Sequence, residues 1–323
     1  MITPPKNYIE VNAAFRCLIK ANNKRIFFIE DLSRNHLYLD RFEWNDYLFV
    51  QFGWHSHQWR YQQEMDYISQ HKNIDINKII IMGATEFEVA EAKKVGFDSI
   101  YVNHNCWLDE SLFSLSPIPL VDRLYDIVLV TRPERWKRPY LASLVDNVAI
   151  IKGHNFRKDD YFDLSSMNPK FINSERIPPI EVHNVIINSC CGGIFSEEEG
   201  ACYSSGEYLL SGLPVISTES RGGRDVWYDN SNSIIVAPSE IDVQNAVKIA
   251  KNKLISGEFD PAAIRANHVT KSIEFRKIFE NKLRAILGSE HSIFMPENGL
   301  GNLFKHKMID YIKPPDLELV FSK

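Results

Sequence analysis

Apolar positions along this chain follow two periods in alternation. Short β-branched or aromatic runs are separated by longer stretches whose apolar residues recur every three to four positions, an α/β pattern. In the first part, Arg25–Glu30 and Tyr47–Phe52 read as strands and Gln58–His71 as a helix. Lys78-Ile79-Ile80-Ile81-Met82 is a buried-strand run. Glu86–Val95 reads as a helix that Gly96 closes, because glycine adopts the left-handed cap at no steric cost. Ser99–Val102 is a further strand. Leu115-Ser116-Pro117-Ile118-Pro119 breaks the pattern with two prolines, and a domain boundary is expected there, giving units 1–118 and 119–323.

The pattern restarts at Tyr125-Asp126-Ile127-Val128-Leu129-Val130-Thr131, a near-continuous apolar run that suits a parallel strand buried on both faces. Strands are expected at Val148–Ile151, Phe171–Ile172, Gly193–Phe195, Val215–Ser217 and Ile234–Val236, with helices between them. That order is doubly wound, and such sheets take ligands at the carboxyl ends of their strands. Residues 242–287 read as mostly helical, with a last short helix at 304–311 that Pro314-Pro315 terminates.

Composition narrows the class. A chain of 323 residues exceeds what one core commonly holds, so two domains are expected. Its 44% hydrophobic and 24% charged residues are ordinary for a globular protein. The formal net charge of −5 offers no electrostatic footprint for nucleic acid. Cys17, Cys106, Cys190, Cys191 and Cys202 form no C-x-x-C pair, which points to reduced thiols and a cytoplasmic setting. Met1–Lys6 lacks the apolar run of a signal peptide, and no run approaches the roughly 20 residues of a membrane span; peripheral membrane contact stays compatible with the sequence.

The richest chemistry lies in Ser196-Glu197-Glu198-Glu199-Gly200-Ala201-Cys202-Tyr203, continued through Glu207 to Gly212-Leu213-Pro214-Val215-Ile216. Glu199 stands in a loop ahead of a helix and Glu207 lies on that helix, eight positions on. Backbone N–H groups at a helix N-terminus attract anions. A carboxylate beside such a site accepts hydrogen bonds from hydroxyls, and phosphate with polyol describes a sugar nucleotide. At the end of the strand beginning at Tyr125, Thr131-Arg132-Pro133-Glu134-Arg135-Trp136-Lys137-Arg138 supplies cations where a diphosphate would lie. A guanidinium there gives planar bidentate recognition and an ammonium a compact point charge.

Ser196, Glu199, Gly200, Glu207, Gly212, Pro214, Val215 and Ile216 fall in register with the E-x7-E block of retaining GT-B glycosyltransferases of the family 4 (group 1) type, which the chain resembles. Arg132 and Lys137 match the spacing of the arginine and lysine that bind the diphosphate in that family. Asn105, Asp109 and Phe113 align with its segment ahead of the interdomain linker. The chain departs from the family at Arg138 and Cys106, where glycine is common. It departs again at Gly200-Ala201-Cys202, where Gly-aromatic-Gly is usual, and it has no glycine before Gly53.

The resemblance implies two Rossmann-like domains facing a cleft, with a C-terminal helical segment returning to the first. It implies transfer of a sugar from a nucleoside-diphosphate sugar, UDP or GDP, to a glycan or lipid-linked acceptor, with anomeric retention and without metal or other cofactor. Glu199 would accept from the donor sugar's hydroxyls and Glu207 from the ribose. Gly200, Ala201 and Cys202 would approach sugar and phosphate with their backbone, and Arg132 and Lys137 would hold the leaving diphosphate. In Gly53-Trp54-His55-Ser56-His57-Gln58-Trp59, either histidine matches one that faces the reacting sugar in the family; packing against Trp54 and Trp59 is the other role open to them. Two further readings stand beside transfer: a GT-B sugar-nucleotide epimerase, and a non-catalytic GT-B nucleotide-binding scaffold. Oligomeric state is not legible.

Overall fold

The computed structural model describes residues 13–21, 24–154, 157–288, 306–308, 311–312 and 316–321. The chain divides into two compact units, Met1–Trp107 with Glu274–Lys323, and Leu108–Ile273. The expected break at residue 118 differs from this division, and contacts explain the difference. Phe113 packs edge-on against His183 (5.7 Å), Ser116 Oγ donates to the Ile187 carbonyl (2.7 Å) and Arg123 Nη1 to that of Ser189 (3.0 Å). The proline-marked segment is thus built into the second unit.

The first unit holds a six-stranded sheet. Strands β1 (Ala13–Ala21), β2 (Lys24–Glu30), β3 (Tyr47–Gln51), β4 (Ile79–Gly83) and β5 (Asp98–Tyr101) lie side by side in chain order, and Tyr311–Ile312 adds a short edge beyond β1. β1 runs antiparallel to β2, and β2 to β5 are parallel. Helix α1 (Gln58–Ile68) follows β3 and α2 (Glu86–Val95) follows β4. Gly96 caps α2 with φ 105°, as its sequence position predicts, while Thr85 accepts from the Glu88 N–H at the other end. Phe15, Phe27, Phe42 and Phe321 form a cluster of largely edge-on rings, with Phe27 and Phe42 at 5.0 Å. Arg25 ties this core to the chain's end: it grips Asp46 with two hydrogen bonds (2.8 and 2.7 Å) and donates to the Phe321 carbonyl (2.8 Å).

In the second unit the strands are β6 (Tyr125–Thr131), β7 (Val148–Lys152), β8 (Phe171–Ile172), β9 (Ser189–Ile194), β11 (Val215–Thr218) and β13 (Ser233–Val236). Their spatial order is β13-β11-β9-β6-β7-β8, all parallel. The chain runs outward from β6 through β7 to β8, then returns to place β9 on the other side of β6. The boundary between β6 and β9 is therefore the topological switch point, where the loops leaving the two strands diverge and leave a crevice. A separate two-stranded ladder pairs β10 (Glu198–Glu199) with β12 (Arg221–Gly222). Helix α3 (Pro179–Ile187) connects β8 to β9, α4 (Tyr203–Leu210) lies between β9 and β11, and α5 (Glu240–Ser256) follows β13.

The 27-residue helix α6 (Pro261–Leu287) begins in the second unit and ends in the first. Its later half packs there through Phe279 on Phe49 (4.7 Å) and Trp107 (5.2 Å), with Arg276 Nε donating to the Cys106 carbonyl (2.6 Å). Of the helix expected at 304–311, the described residues form a short turn at His306–Met308 and the edge strand Tyr311–Ile312. Pro314 and Pro315 lie outside the described residues. Among the described residues no helix is long and apolar enough to cross a membrane.

Candidate functional site

The loop leaving β6 carries the first group of candidates. Thr131 ends the strand, and Arg135–Lys137 forms a short 3-10 turn. Beneath the turn sits Glu134, 0% exposed. Its Oε1 accepts the Arg157 N–H (2.8 Å), and its Oε2 accepts the Trp136 indole N–H (2.8 Å) and pairs with Arg132 Nε (3.2 Å). The Trp136 ring lies under both cations, with Lys137 Nζ 4.2 Å and the Arg132 guanidinium 5.2 Å from its centre. A cation over an indole face is drawn to the ring quadrupole. Arg132 and Lys137 therefore share one aromatic floor, and the buried Glu134 anchors both that floor and Arg132. Glu134 and Trp136 escaped the sequence reading because nothing in a seven-residue turn marks which carboxylate is buried.

The loop leaving β9 carries Glu199, almost wholly buried. Lys137 Nζ contacts its Oε1, and Ser196 Oγ donates to the same oxygen (2.7 Å). The structure thus brings Lys137 and Glu199, 62 positions apart, together across the β6/β9 switch point. The loop's path is set from behind by Arg224, 0% exposed, which sequence reasoning missed. Arg224 donates to the Ser196 carbonyl (3.0 Å), the Ser196 hydroxyl (3.2 Å) and the Thr218 carbonyl (2.6 Å), and pairs with Asp225 (3.0 Å). The short ladder adds a second restraint by setting Glu198 opposite Arg221 and Glu199 opposite Gly222.

Of the three positions where the family has glycine and this chain does not, Arg138 and Cys202 keep a glycine-like backbone and Cys106 does not. Arg138 has φ 50° and Cys202 φ 57°, left-handed conformations that cost an L-residue about 1–2 kcal/mol. Arg138 offsets that cost with its side chain, donating from Nε to the Phe195 carbonyl (2.5 Å) and from Nη2 to Thr218 Oγ1 (3.0 Å). It thereby bridges the β6 loop to the ends of β9 and β11. Cys202 stands immediately before α4. Desolvation, and then the nearby Glu199 carboxylate, push its thiol up to about 12, so it stays protonated and is no nucleophile.

Helix α4 is seated by a close approach that only glycine permits. A Cβ on Gly192 of β9 would meet the Tyr208 ring at 2.0 Å. The Tyr208 hydroxyl accepts the Val130 N–H of β6 (2.7 Å), and Ser204 Oγ donates to the Val130 carbonyl (3.2 Å). The start of α4 is therefore held against the last residues of β6. Glu207 lies on this helix and is buried, as are Gly200 and Ala201 in the loop ahead of it. Ser205, two positions before Glu207, donates to the Tyr228 hydroxyl (2.8 Å). Arg132, Lys137, Glu199, Gly200, Ala201, Cys202 and Glu207 thus all belong to the second unit, on the loops that leave β6 and β9 and on the helix that follows.

The histidines belong to the first unit, in the loop between β3 and α1. His55 is buried, and its Nδ1 lies 3.1 Å from Glu88 Oε1. Glu88 also accepts the Ser56 N–H (3.0 Å) and the Ala84 N–H (2.6 Å), so its carboxylate is fixed before the histidine meets it. Phe87 stacks on His55 at 5.6 Å, and His57 stands edge-on to both rings (4.7 Å to His55, 5.4 Å to Phe87). The two histidines are consequently unlike: His55 is oriented by a carboxylate, and His57 lies nearer solvent at the start of α1. Among the described residues no three His, Cys, Asp or Glu side chains gather as a metal site.

Two units, each with a sheet of mainly parallel strands, with α/β crossovers and a C-terminal segment grouped with the first, make this a GT-B fold. The chain is similar to the crystal structure of TarM, with TM-score 0.58 and 15% identity over 81% of this chain and 55% of that one. It is similar to a trehalose-6-phosphate synthase studied for glycosyl transfer with retention, with TM-score 0.59 and 11% identity over 82% and 74% of the two chains. It is also similar to Anabaena HepE bound to UDP and glucose, with TM-score 0.56 and 10% identity over 79% and 77%. The chain spans little more than half the length of TarM and about three-quarters of the other two. No family model matches the chain, and no curated protein matches it by sequence.

Proposed function

We propose that the chain is a glycosyltransferase moving a sugar from a nucleoside-diphosphate sugar to a glycan or lipid-linked acceptor, retaining the anomeric configuration and needing no metal. The observation that carries this reading is the meeting of Lys137 and Glu199 at the β6/β9 switch point. A cation and a hydroxyl-accepting carboxylate in one crevice suit a donor with a charged diphosphate and a polyol side by side. The similar folds of HepE bound to UDP and glucose and of a retaining synthase support the same donor class.

In this reading Lys137 and Arg132 take the diphosphate oxygens, Glu199 accepts from sugar hydroxyls and Glu207 from the ribose. As the bond from the anomeric carbon to the phosphate oxygen breaks, negative charge grows on the leaving diphosphate, and the two cations stabilise it more than they stabilise the bound donor. The acceptor oxygen bonds to the anomeric carbon on the same face. Its proton passes to the departing phosphate oxygen, so no protein nucleophile is required. Lys137 and Glu199 neutralise one another while both wait for the donor, and Ser196 and Trp136 keep each in place.

The test is a thermal-shift and turnover screen against UDP-, GDP- and ADP-sugars, with and without chelator. A bound donor at a hundred times its dissociation constant should add about 2.7 kcal/mol of stability. If no nucleoside diphosphate or its sugar binds, the reading fails. Product formed from donor without any acceptor would replace it with epimerisation, and binding without turnover would replace it with a scaffold.

A further inference from the structure

We infer that the first unit carries a saccharide-binding subsite on the first turn of α1, built around the indole of Trp59. Trp59 is 66% exposed, although tryptophan is the residue that gains most from burial. It does not stand alone. His57, Gln58, Trp59, Gln62 and Glu91 line one shallow depression of about 690 Å3, largely open to solvent. The exposed rings of Trp54 and Phe87 lie in the same loop and at the start of α2. An exposed aromatic face rimmed by polar groups marks an interaction site.

The lining selects the ligand. Gln58 and Gln62 are one helical turn apart on α1 and line the surface beside Trp59. Each amide offers two donors and an acceptor, Glu91 offers acceptors, and His57 offers one of each when neutral. Glu91 is positioned in advance: its Oε2 accepts the Gln58 N–H (3.0 Å) and its Oε1 the Lys94 ammonium (2.5 Å). Gln62 is steered by its bond to Asp66 (2.8 Å).

An aromatic face ringed by neutral amides and one ionised carboxylate fits a molecule with an apolar C–H face and a hydroxyl rim, which describes a pyranose. It does not fit a phosphate or an anionic lipid headgroup, because no lysine or arginine lines the surface and the neighbouring Lys94 ammonium is held by Glu91. The subsite follows directly on the loop that carries His55 and His57. If the transferase reading holds, it receives a sugar of the acceptor; saccharide binding itself does not depend on that reading.

The experiment uses the full chain on an array of defined neutral and acidic oligosaccharides, with nucleoside-diphosphate affinity measured in parallel and folding checked by melting temperature. The wild type should be retained by a subset of the array. Trp59→Ala should lower that retention about tenfold or more, Trp59→Phe should fall between, and nucleoside-diphosphate affinity should stay the same in all three. Gln62→Ala, which removes only a rim amide, should weaken binding with the stacking face intact. A wild type that retains no oligosaccharide, or a Trp59→Ala chain that matches it, overturns the subsite. Saccharide binding that depends on Trp59, without nucleotide-sugar turnover, upholds the subsite and removes the transferase reading.

Discussion

Lys137 and Glu199 show how one contact serves stability and chemistry at once. Both side chains are largely shielded from water, so deleting one strands the other's charge, a loss of about 3–5 kcal/mol for a buried pair. Lys137→Ala leaves Glu199 with only Ser196 and should lower the melting temperature sharply. Glu199→Gln should cost less, because Lys137 is the more exposed partner and its long stem reaches solvent. The double variant should recover much of the stability lost in Lys137→Ala while showing no turnover, since the chemistry needs both groups and the fold needs only neutrality. Stability losses that simply add in the double variant would mean that the two side chains do not share one environment.

Arg132 and Lys137 belong to the same scale and make a second expectation. If both bear on one leaving diphosphate, each alanine variant should lower kcat more than it raises KM. Losing one such group typically costs about 2.7–4 kcal/mol of transition-state stabilisation. Glu134→Gln should reproduce part of that loss without touching a ligand, because the Trp136 floor and Arg132 lose their shared anchor. Well-folded variants with wild-type kcat would remove the β6 loop from the site.

At the level of elements, two positions separate backbone strain from packing. Gly192 lies under Tyr208 with no room for a methyl group. Gly192→Ala must displace that ring and with it the hydroxyl bond to Val130, and should cost about 3 kcal/mol or more. Cys202 is a residue where glycine is conformationally easier. Cys202→Gly relieves the left-handed strain but frees the unfolded chain, and the two effects offset to within about 1 kcal/mol. Urea melts of the two variants check both; equal destabilisation would mean that the loop ahead of α4 depends on the thiol's packing. The unexpected element, β1, belongs here too. A register shift between Cys17 and Ile19 breaks its two-residue alternation, so the pattern that exposed the other strands is missing from it.

For the molecule as a whole, buried histidine couples folding to pH. Burial pushes His104 of the first unit down to about 3, and His183 of the second is lowered as well, by burial and then by Arg265. Each binds a proton less readily folded than unfolded, and His104 stays neutral in the folded chain well below the ordinary histidine pKa of about 6.5. The unfolded chain then binds more protons, so stability falls as pH drops through 6.5, at up to about 1.4 kcal/mol per pH unit for His104. Denaturant midpoints at pH 7.5, 6.0 and 5.0 should decline for the wild type. The decline should be shallower for His104→Gln; parallel slopes would show that another group governs it.

What was legible in the sequence was local. Apolar period marked β2 to β5 and the strands of the second sheet except most of β9, whose Ser189-Cys190-Cys191-Gly192 carries no β-branched run; β6 matches its apolar run end to end, and Gly96 marked the close of α2 because a left-handed cap explains it there. Motif register picked out Arg132, Lys137, Glu199 and Glu207 as candidates, and the GT-B architecture followed from the same resemblance. The tertiary structure decided what local pattern cannot encode: that β9 returns beside β6, that Lys137 meets Glu199 there, that Arg224 and Glu134 are the buried charges holding the two loops, and that the crossing back to the first unit falls inside α6, at Glu274. The physical reason is that hydrophobic period depends on neighbours a few residues away. Burial of a particular charge, the order of strands and the partner of a side chain depend on segments tens to hundreds of positions apart, whose meeting is settled only when the whole chain excludes water.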